Sequence, residues 1–167
     1  MQAVEKEAAT MFDGTGLLDG IPDEPAATSL LTDAIGASRL WVAVADGGTG
    51  DVVGFALAIW CGDDAHLQEL DVFPSWGRRG IGRRLVAAVC EWAADSGCER
   101  VTLTTFVGIS WNAPFYAGLG FSVLPVGTWT DAHRVVWEHE LAMGLPMEQR
   151  VVMAAPLGGG PVGDGSG

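Results

Sequence analysis

The sequence predicts a single α/β domain in which a mixed central sheet is flanked by helices. Three features of the 167-residue chain indicate this: β-rich runs such as "DVVGFALAIW" at 51–60, a long amphipathic helix pattern from Ile81, and a strand pattern on each side of that helix. Strand, glycine turn, helix and strand in this order are typical of a βαβ unit with parallel neighbouring strands. We place the domain at residues 1–156 and expect the glycine-rich tail at 157–167 to be disordered.

Hydrophobic periodicity and turn residues assign the individual elements. The expected helices, in chain order, are 2–12, 28–35, 81–97, 112–117 and 132–143. The expected strands are 39–45, 51–60, 66–73, 100–107, 120–124 and 149–157. "DGGTG" between the first two strands predicts an antiparallel hairpin, and Thr28 or Ser29 is expected to cap the second helix.

Composition and charge exclude several classes of function. The formal net charge is −12, which argues against general affinity for nucleic acid because binding phosphates needs dense positive charge. No uninterrupted apolar stretch is long enough to cross a bilayer, and the acidic N-terminal segment lacks the pattern of a signal peptide. The three cysteines lack metal-ligand spacing and fit reduced thiols. We therefore expect a cytoplasmic protein with no membrane, nucleic-acid or metal partner.

The segment "RRGIGRR" holds four of the nine basic residues, between Arg78 and Arg84. Gly80 and Gly82 stand where the third strand has ended and the helix from Ile81 begins, so backbone N–H groups of the first helical turn can bind an anion. Cationic side chains at a helix N-terminus oppose the helix dipole, and a polyanionic ligand would explain their presence. The segment therefore predicts a phosphate or pyrophosphate site; the alternative is a capped helix with a basic, solvated end.

Three motifs in order resemble the GNAT acetyltransferase superfamily. "LQELDVFP" at 67–74 is similar to the strand before that family's [QR]xxGx[GA] signature, "RRGIG" at 78–82 to the signature, and "WNAPFYAGLGF" at 111–121 to a later Asn, Phe-Tyr and Gly-Phe segment. The resemblance covers roughly residues 40–124. It implies the GNAT fold, in which the third and fourth strands are parallel and splay apart, and it implies acetyl-CoA as the cosubstrate.

The resemblance also implies which residues bind acetyl-CoA. The pyrophosphate is expected on the backbone from Arg78 to Arg83, and the pantetheine arm along the exposed edge of the third strand. Gly77 and Arg78 depart from the family pattern, as if the two were exchanged, and we expect this to retune the loop without abolishing binding. The resemblance also implies that Asn112 contacts CoA; the alternative is that it is an ordinary helix N-cap. The expected cofactor-binding residues are Leu70, Asp71, Val72, Arg78, Arg79, Gly80, Ile81, Gly82, Arg83 and Asn112.

Transfer of an acetyl group to an amine requires proton movement at both reacting atoms. Tyr116, the only tyrosine in the chain, occupies the position of the family's general acid. His66, Glu69 and Asp71 lie on or beside the third strand and are the candidates for the base. Strand alternation places His66 and Gln68 on one face and Glu69 and Asp71 on the other, unless a bulge swaps the later positions. The sequence leaves the choice of base open.

The chain begins with a helix pattern where GNAT domains usually have a strand, so we expect the first strand to be absent. An open sheet edge invites pairing, which makes a homodimer a hypothesis. We expect an N-acetyltransferase that transfers the acetyl group of acetyl-CoA to a primary amine of a small molecule or peptide, by direct attack in a ternary complex. The alternative is a catalytically weak acyl-CoA-binding sensor or interaction module. The acidic composition slightly favours cationic acceptors.

Overall fold

The computed structural model describes residues 1–21, 28–45 and 50–158. Its helices are α1 Gln2–Ala9, α2 Thr28–Gly36, α3 Ile81–Asp95, α4 Ala113–Ala117 and α5 Asp131–Ala142. Its strands are β1 Leu40–Val44, β2 Val52–Cys61, β3 Asp64–Val72, β4 Arg100–Phe106, β5 Ser122–Val123 and β6 Arg150–Pro156. Most of the predicted hairpin turn, the predicted side-chain cap of the second helix and most of the expected tail lie outside the described residues.

The six strands form one mixed sheet in the order β1-β2-β3-β4-β6-β5. Within the described ranges, β3 and β4 are the one parallel pair of neighbours, and the other neighbours run antiparallel. The helix α3 connects β3 to β4, which is the predicted βαβ unit. Each predicted helix and strand has a counterpart in the structure, and the predicted α/β fold class is confirmed.

The hydrophobic core lies between α3 and one face of the sheet. Leu85, Val89 and Ala93 of α3 are buried there because apolar side chains recur at helical spacing. The strand residues that face them include Ala56, Leu67, Val101, Leu103 and Met153. The helices α1, α2 and α5 contact β2 or β3 from the opposite face, where Ala34 packs on Leu57.

The parallel strands β3 and β4 pair over three residues only. The register joins Ala65 with Val101, His66 with Thr102 and Leu67 with Leu103. Beyond this point β3 continues to Val72 and β4 to Phe106 without pairing. The two strands therefore splay apart, as the resemblance implies.

A bulge at Gln68 changes the faces of β3. Glu69 is paired with Leu57 of β2 and Leu67 with Ala58, so Gln68 is left without a partner on β2. Beyond the bulge, Leu70 packs in the core under α3, as Leu67 does before it. The acidic residues that follow Gln68 consequently face α1, on the same side as His66. Regular alternation along β3 was the wrong expectation, and the alternative with a bulge is right.

The N-terminus of α3 approaches the sheet closely at Gly54. A Cβ atom on Gly54 would lie 2.9 Å from the carbonyl oxygen of Asp71 and 3.3 Å from Cγ2 of Ile81. Because the Asp71 contact would be closer than van der Waals packing allows, glycine at this position lets α3 begin next to β2 and β3.

The strand β1 forms one edge of the described sheet, and no strand precedes α1 within residues 1–21. Val42 and Val44 on this edge are 47% and 49% exposed. Among the described helices, none has the length and apolar character needed to cross a membrane.

Candidate active site

A cavity of about 850 Å³ opens where β3 and β4 separate. Its walls come from α1 and the turn after it, β3, the segment that leads into α3, the end of β4, α4 and the first residue of β6. Two predicted site residues, His66 and Arg79, are not among the residues that line it. The predicted residues that do line it are Glu69, Leu70, Asp71, Val72, Arg78, Gly80, Ile81, Gly82, Arg83, Asn112 and Tyr116.

The N-terminus of α3 presents free backbone donors to this cavity. Its N-cap, Gly80, has a φ of 75°, a left-handed conformation that glycine adopts without strain. The amide of Arg84 donates to the carbonyl of Gly80 at 3.1 Å, so the N–H groups of Ile81, Gly82 and Arg83 precede the first helical hydrogen bond. Free N–H groups and the positive end of the helix dipole together favour an anion at this place.

The exchanged pair Gly77 and Arg78 differs in backbone conformation. Gly77 has φ −59° and ψ 162°, which any residue can adopt, whereas Arg78 has a φ of 60°. A residue with a side chain costs about 1–2 kcal/mol in the left-handed region. Arg78 therefore introduces strain at a position where the family pattern has glycine.

The side chain of Arg79 lies outside the cavity wall. Its guanidinium carbon is 4.5 Å from the centroid of the Trp76 ring, and its Nη2 donates to the carbonyl of Ser75 at 3.4 Å. Trp76 itself lines the cavity. Arg79 thus supports an aromatic ring of the wall, and its own contact with a ligand stays a prediction.

Asn112 is the N-cap of α4, but its side chain makes no capping hydrogen bond. Its Nδ2 is buried and has no hydrogen-bond partner among the described residues. An unsatisfied buried amide costs about 1–3 kcal/mol, which a ligand acceptor in the cavity would offset. The geometry favours the predicted cofactor contact over the alternative of a helix cap.

Tyr116 lies in α4, with its ring centroid 5.0 Å from that of Phe115 and 5.8 Å from that of Phe121. Burial raises the pKa of Tyr116 well above its usual value of about 10, and the negative charge of Asp71 raises it further. The hydroxyl therefore keeps its proton at neutral pH, as a hydrogen-bond donor to a developing anion must.

Glu69 and Asp71 form a carboxyl pair on the cavity wall. Their side chains hydrogen bond to each other, and Glu69 also bonds to Glu5 of α1. Burial is the largest cause that raises the pKa of Glu69, to about 9, and the charges of Asp71 and Glu5 add to it. Burial also raises the pKa of Asp71, to about 6, although its bond to Glu69 works in the other direction. Near pH 7 the carboxyl pair holds one proton and one negative charge.

His66 is buried, with 2% exposure, on the face of the sheet that α5 covers. Its Nδ1 lies 2.9 Å from Oγ1 of Thr102, and that hydroxyl donates to the carbonyl of Ala65 at 3.2 Å. Burial lowers the pKa of His66 to about 3, with smaller contributions from His133 and Arg150. This environment gives no support to the predicted base role of His66 and favours the carboxyl pair.

Sequence reasoning did not identify Phe12, Phe106 or Arg150 as cavity residues, nor did it identify Glu5, which hydrogen bonds to Glu69 but is not among the lining residues. The rings of Phe12 and Phe106 lie 5.7 Å apart, and those of Phe12 and Trp111 lie 6.3 Å apart, so the three form an aromatic wall. The periodicity of residues 2–12 predicted α1 but carried no signal that this helix would cover the acidic part of β3.

Comparisons with known proteins agree with this geometry. A family model described as "Acetyltransferase (GNAT) family" matches residues 5–121. The chain is similar to thialysine N-epsilon-acetyltransferase of Bos taurus, at 31% identity over 58 residues, which are 35% of this chain and 32% of the relative. It is similar to glucosamine 6-phosphate N-acetyltransferase of Trypanosoma brucei brucei, at 34% identity over 56 residues, or 34% and 36% of the two chains. The match thus spans about a third of the length of these curated relatives.

The fold is shared with a solved structure at much lower identity. PaiA N-acetyltransferase of Thermoplasma acidophilum, solved in complex with coenzyme A, superposes with a TM-score of 0.66 at 15% identity. The superposition covers 93% of this chain and 89% of that one. At this identity the likeness shows the fold alone. Because the family model extends from α1 through α3 and α4 and includes every lining residue proposed from the motifs, the chain belongs to the acetyltransferase (GNAT) family.

Proposed function

We propose that the chain is an N-acetyltransferase that takes the acetyl group of acetyl-CoA and transfers it directly to a primary amine of a small molecule or peptide. The observation that carries this proposal is the cavity between β3 and β4. One end of it has the free N–H groups of α3, and its walls include the carboxyl pair and Tyr116. An anion site, a proton acceptor and a proton donor are the groups that acyl transfer to an amine requires.

The residues of the cavity fit coenzyme A in three ways. The N–H groups of Ile81 to Arg83 suit a pyrophosphate, and the unpartnered Nδ2 of Asn112 offers a further donor. The edge of β3 that faces β4 is unpaired from Gln68 to Val72, so its backbone groups can bind the amides of the pantetheine arm. When bound, acetyl-CoA supplies the activated acetyl thioester.

The carboxyl pair is the proposed acceptor of the amine proton. An alkyl ammonium with a pKa of about 10.4 is neutral in only about one molecule in 2,500 at pH 7, so its proton has to be removed. Asp71, with its pKa raised to about 6, is ionised at this pH and can take the proton, while Glu69 donates a hydrogen bond to it. Of the three base candidates that the sequence left open, Glu69 and Asp71 thus act together.

Tyr116 is the proposed donor to the leaving sulfur. Complete proton transfer from a tyrosine to a thiolate with a pKa of about 8.5 is unfavourable, and the raised pKa of Tyr116 makes it more so. The hydroxyl therefore stabilises the sulfur through a hydrogen bond as negative charge develops on it.

The acceptor class follows from the charge of the cavity and from the relatives. The names of the two curated relatives specify a lysine analogue and an amino sugar phosphate, both of which carry an amine. The negative charge of Asp71 attracts the ammonium form of such an acceptor. The expected homodimer and the cytoplasmic location stay predictions; light scattering at micromolar concentration would test the first of these.

Thiol release from acetyl-CoA with a panel of primary amines tests the proposed activity. We expect amine-dependent thiol release and an acetylated product of the same amine by mass spectrometry. Tight CoA binding without thiol release for any amine would favour the sensor module instead.

A further inference from the structure

We infer that Arg150 binds an oxyanion, a carboxylate or a phosphate, on the acceptor, so that the acceptor carries an anionic group as well as the reacting amine. This inference rests on the proposed acetyl transfer, because it specifies the class of amine that the same cavity takes.

Arg150 is held rigidly at the cavity. It is the first residue of β6 and pairs with Phe106 at the end of β4. Its side chain is 10% exposed, and its guanidinium carbon lies 4.6 Å from the centroid of the Phe106 ring. The residue lines the cavity next to the aromatic wall. A guanidinium that is fixed in this way loses little conformational entropy when it binds a ligand.

Two of the three guanidinium nitrogens of Arg150 have a protein partner. Nε and Nη2 each donate to the carboxylate of Glu140 at 3.1 Å, and Glu140 is itself buried. Nη1 makes no hydrogen bond to any described residue. Because Arg150 lines the cavity, its remaining N–H groups are available to a ligand there, and guanidinium N–H groups suit carboxylate and phosphate oxygens.

The cavity wall carries acidic and basic groups on different strands. The carboxyl pair lies on β3, and Arg150 lies on β6, on the other side of β4. The remaining cavity arginines, Arg78 and Arg83, belong to the segment that leads into α3, at the end proposed for CoA. An acceptor with an ammonium and an oxyanion would pair with the negative charge of Asp71 and with the Nη1 donors of Arg150. A purely cationic amine would leave the Nη1 donors of Arg150 unpaired once water is displaced.

Matched pairs of amines with and without an oxyanion test the inference. We would titrate the CoA-saturated protein by calorimetry with L-lysine and cadaverine, L-phenylalanine and 2-phenylethylamine, and glucosamine 6-phosphate and glucosamine. In at least one pair we expect the anion-bearing member to bind 10-fold or more tightly. A preference for either amino acid over its matched amine indicates a carboxylate, and a preference for glucosamine 6-phosphate over glucosamine indicates a phosphate.

Three variants separate recognition from a structural role. Arg150→Lys keeps the charge but loses the planar donors, and it should reduce the 10-fold preference to about 2-fold or less. Glu140→Gln weakens the competing carboxylate and should leave the preference unchanged or raise it. Arg100→Lys is the control, because Arg100 forms an ion pair with Asp64 at 2.8 Å but does not line the cavity. This variant should prefer the anion-bearing amines as strongly as the wild type does.

The inference is overturned if no pair shows a preference, including the case in which no probe binds. It is also overturned if Arg150→Lys weakens both members of a pair alike, or if Glu140→Gln lowers the preference while its melting temperature stays near the wild type. If Arg150→Lys does not fold, the comparison of Glu140→Gln with the wild type tests the inference. Thiol release is measured separately, so a protein that prefers anionic amines but never releases thiol would contradict the proposed activity and not the binding role of Arg150.

Discussion

The carboxyl group of Glu69 hydrogen bonds to that of Asp71, two residues along β3, at the wall of the cavity. Residues two apart on a regular strand share a face, but the bulge at Gln68 determines that this face is the one covered by α1. Glu5 of α1 adds a third carboxyl group and helps to raise the pKa of Glu69. Ionisation of Glu69 therefore destabilises the folded chain. This effect can be measured by unfolding the protein at different pH values.

Glu69→Gln should stabilise the protein at alkaline pH. The pKa of Glu69 rises from 4.5 to about 9, so in this window the folded state holds a proton that the unfolded state has lost. The free energy of unfolding then falls as pH rises through the window, by at most about 1.4 kcal/mol per pH unit. We expect Glu69→Gln to be more stable than the wild type by about 1–2 kcal/mol at pH 8 in urea unfolding. Glu138→Gln, on the exposed part of α5, is the control and should show no such gain.

Tyr116→Phe should reduce kcat by about 100-fold at saturating substrates, the usual range for loss of a proton donor. The dissociation constant of CoA should stay within about 2-fold, because the ring contacts with Phe115 and Phe121 do not involve the hydroxyl. Stopped assays of thiol release and calorimetry with CoA measure the two quantities. A Tyr116→Phe protein with wild-type turnover would refute the proposed role.

Arg78→Gly should raise stability and lower CoA affinity. Glycine removes a left-handed strain of about 1–2 kcal/mol, partly offset by the greater freedom of the unfolded chain, so we expect a gain of about 1 kcal/mol and a melting temperature higher by about 2–4 °C. Loss of the cation should weaken CoA binding, most visibly at low salt. Arg79→Gly is the matched control: Arg79 lacks the positive φ, so a similar thermal gain there would argue against strain at Arg78.

Asn112→Ala should affect stability and CoA binding in different ways. Its Nδ2 has no partner among the described residues, so its removal should leave the melting temperature of the free protein unchanged or slightly higher. CoA should bind about 10-fold more weakly if the amide donates to it, which corresponds to about 1.4 kcal/mol. Equal CoA affinity in the variant and the wild type would remove Asn112 from the site.

His66→Asn tests whether the buried histidine acts as a base or as part of the structure. Burial lowers the pKa of His66 to about 3, so this side chain stays neutral in the folded state at pH 5 and above; burial also lowers the pKa of His133. As pH falls below 6.5 the unfolded state gains protons that the folded state cannot bind, and the free energy of unfolding decreases. The variant should reduce this acid dependence in unfolding measurements at pH 7 and pH 5. The pH profile of kcat should have the same shape in His66→Asn as in the wild type. If the variant loses the acidic limb of that profile, His66 is the base. His139→Gln, at an exposed position, is the control.

The fold was predictable because its signals are local and repeated. The apolar stripe of α3 and the glycines before it indicate a strand-to-helix turn, and the motif around Tyr116 places α4 beside it. The base was not predictable, because its choice depends on one unpaired residue in a strand. The same sequence is compatible with regular alternation and with a bulge at Gln68, and only the pairing with β2 distinguishes the two. Arg150 was missed because its role depends on Glu140 and Phe106, which are close only after the sheet has formed.

The bulge at Gln68 also limits how this site can be moved or altered. A regular register that kept Gln68 and paired it with Leu57 would rotate Glu69 and Asp71 toward α3, while Leu70 would turn toward α1. Every side chain needed for proton removal would still be encoded, yet the chemistry would face the wrong side of the sheet. Anyone who transplants this cavity to another scaffold, or aligns distant relatives across it, has to carry over the position of one backbone insertion as faithfully as the acidic residues themselves.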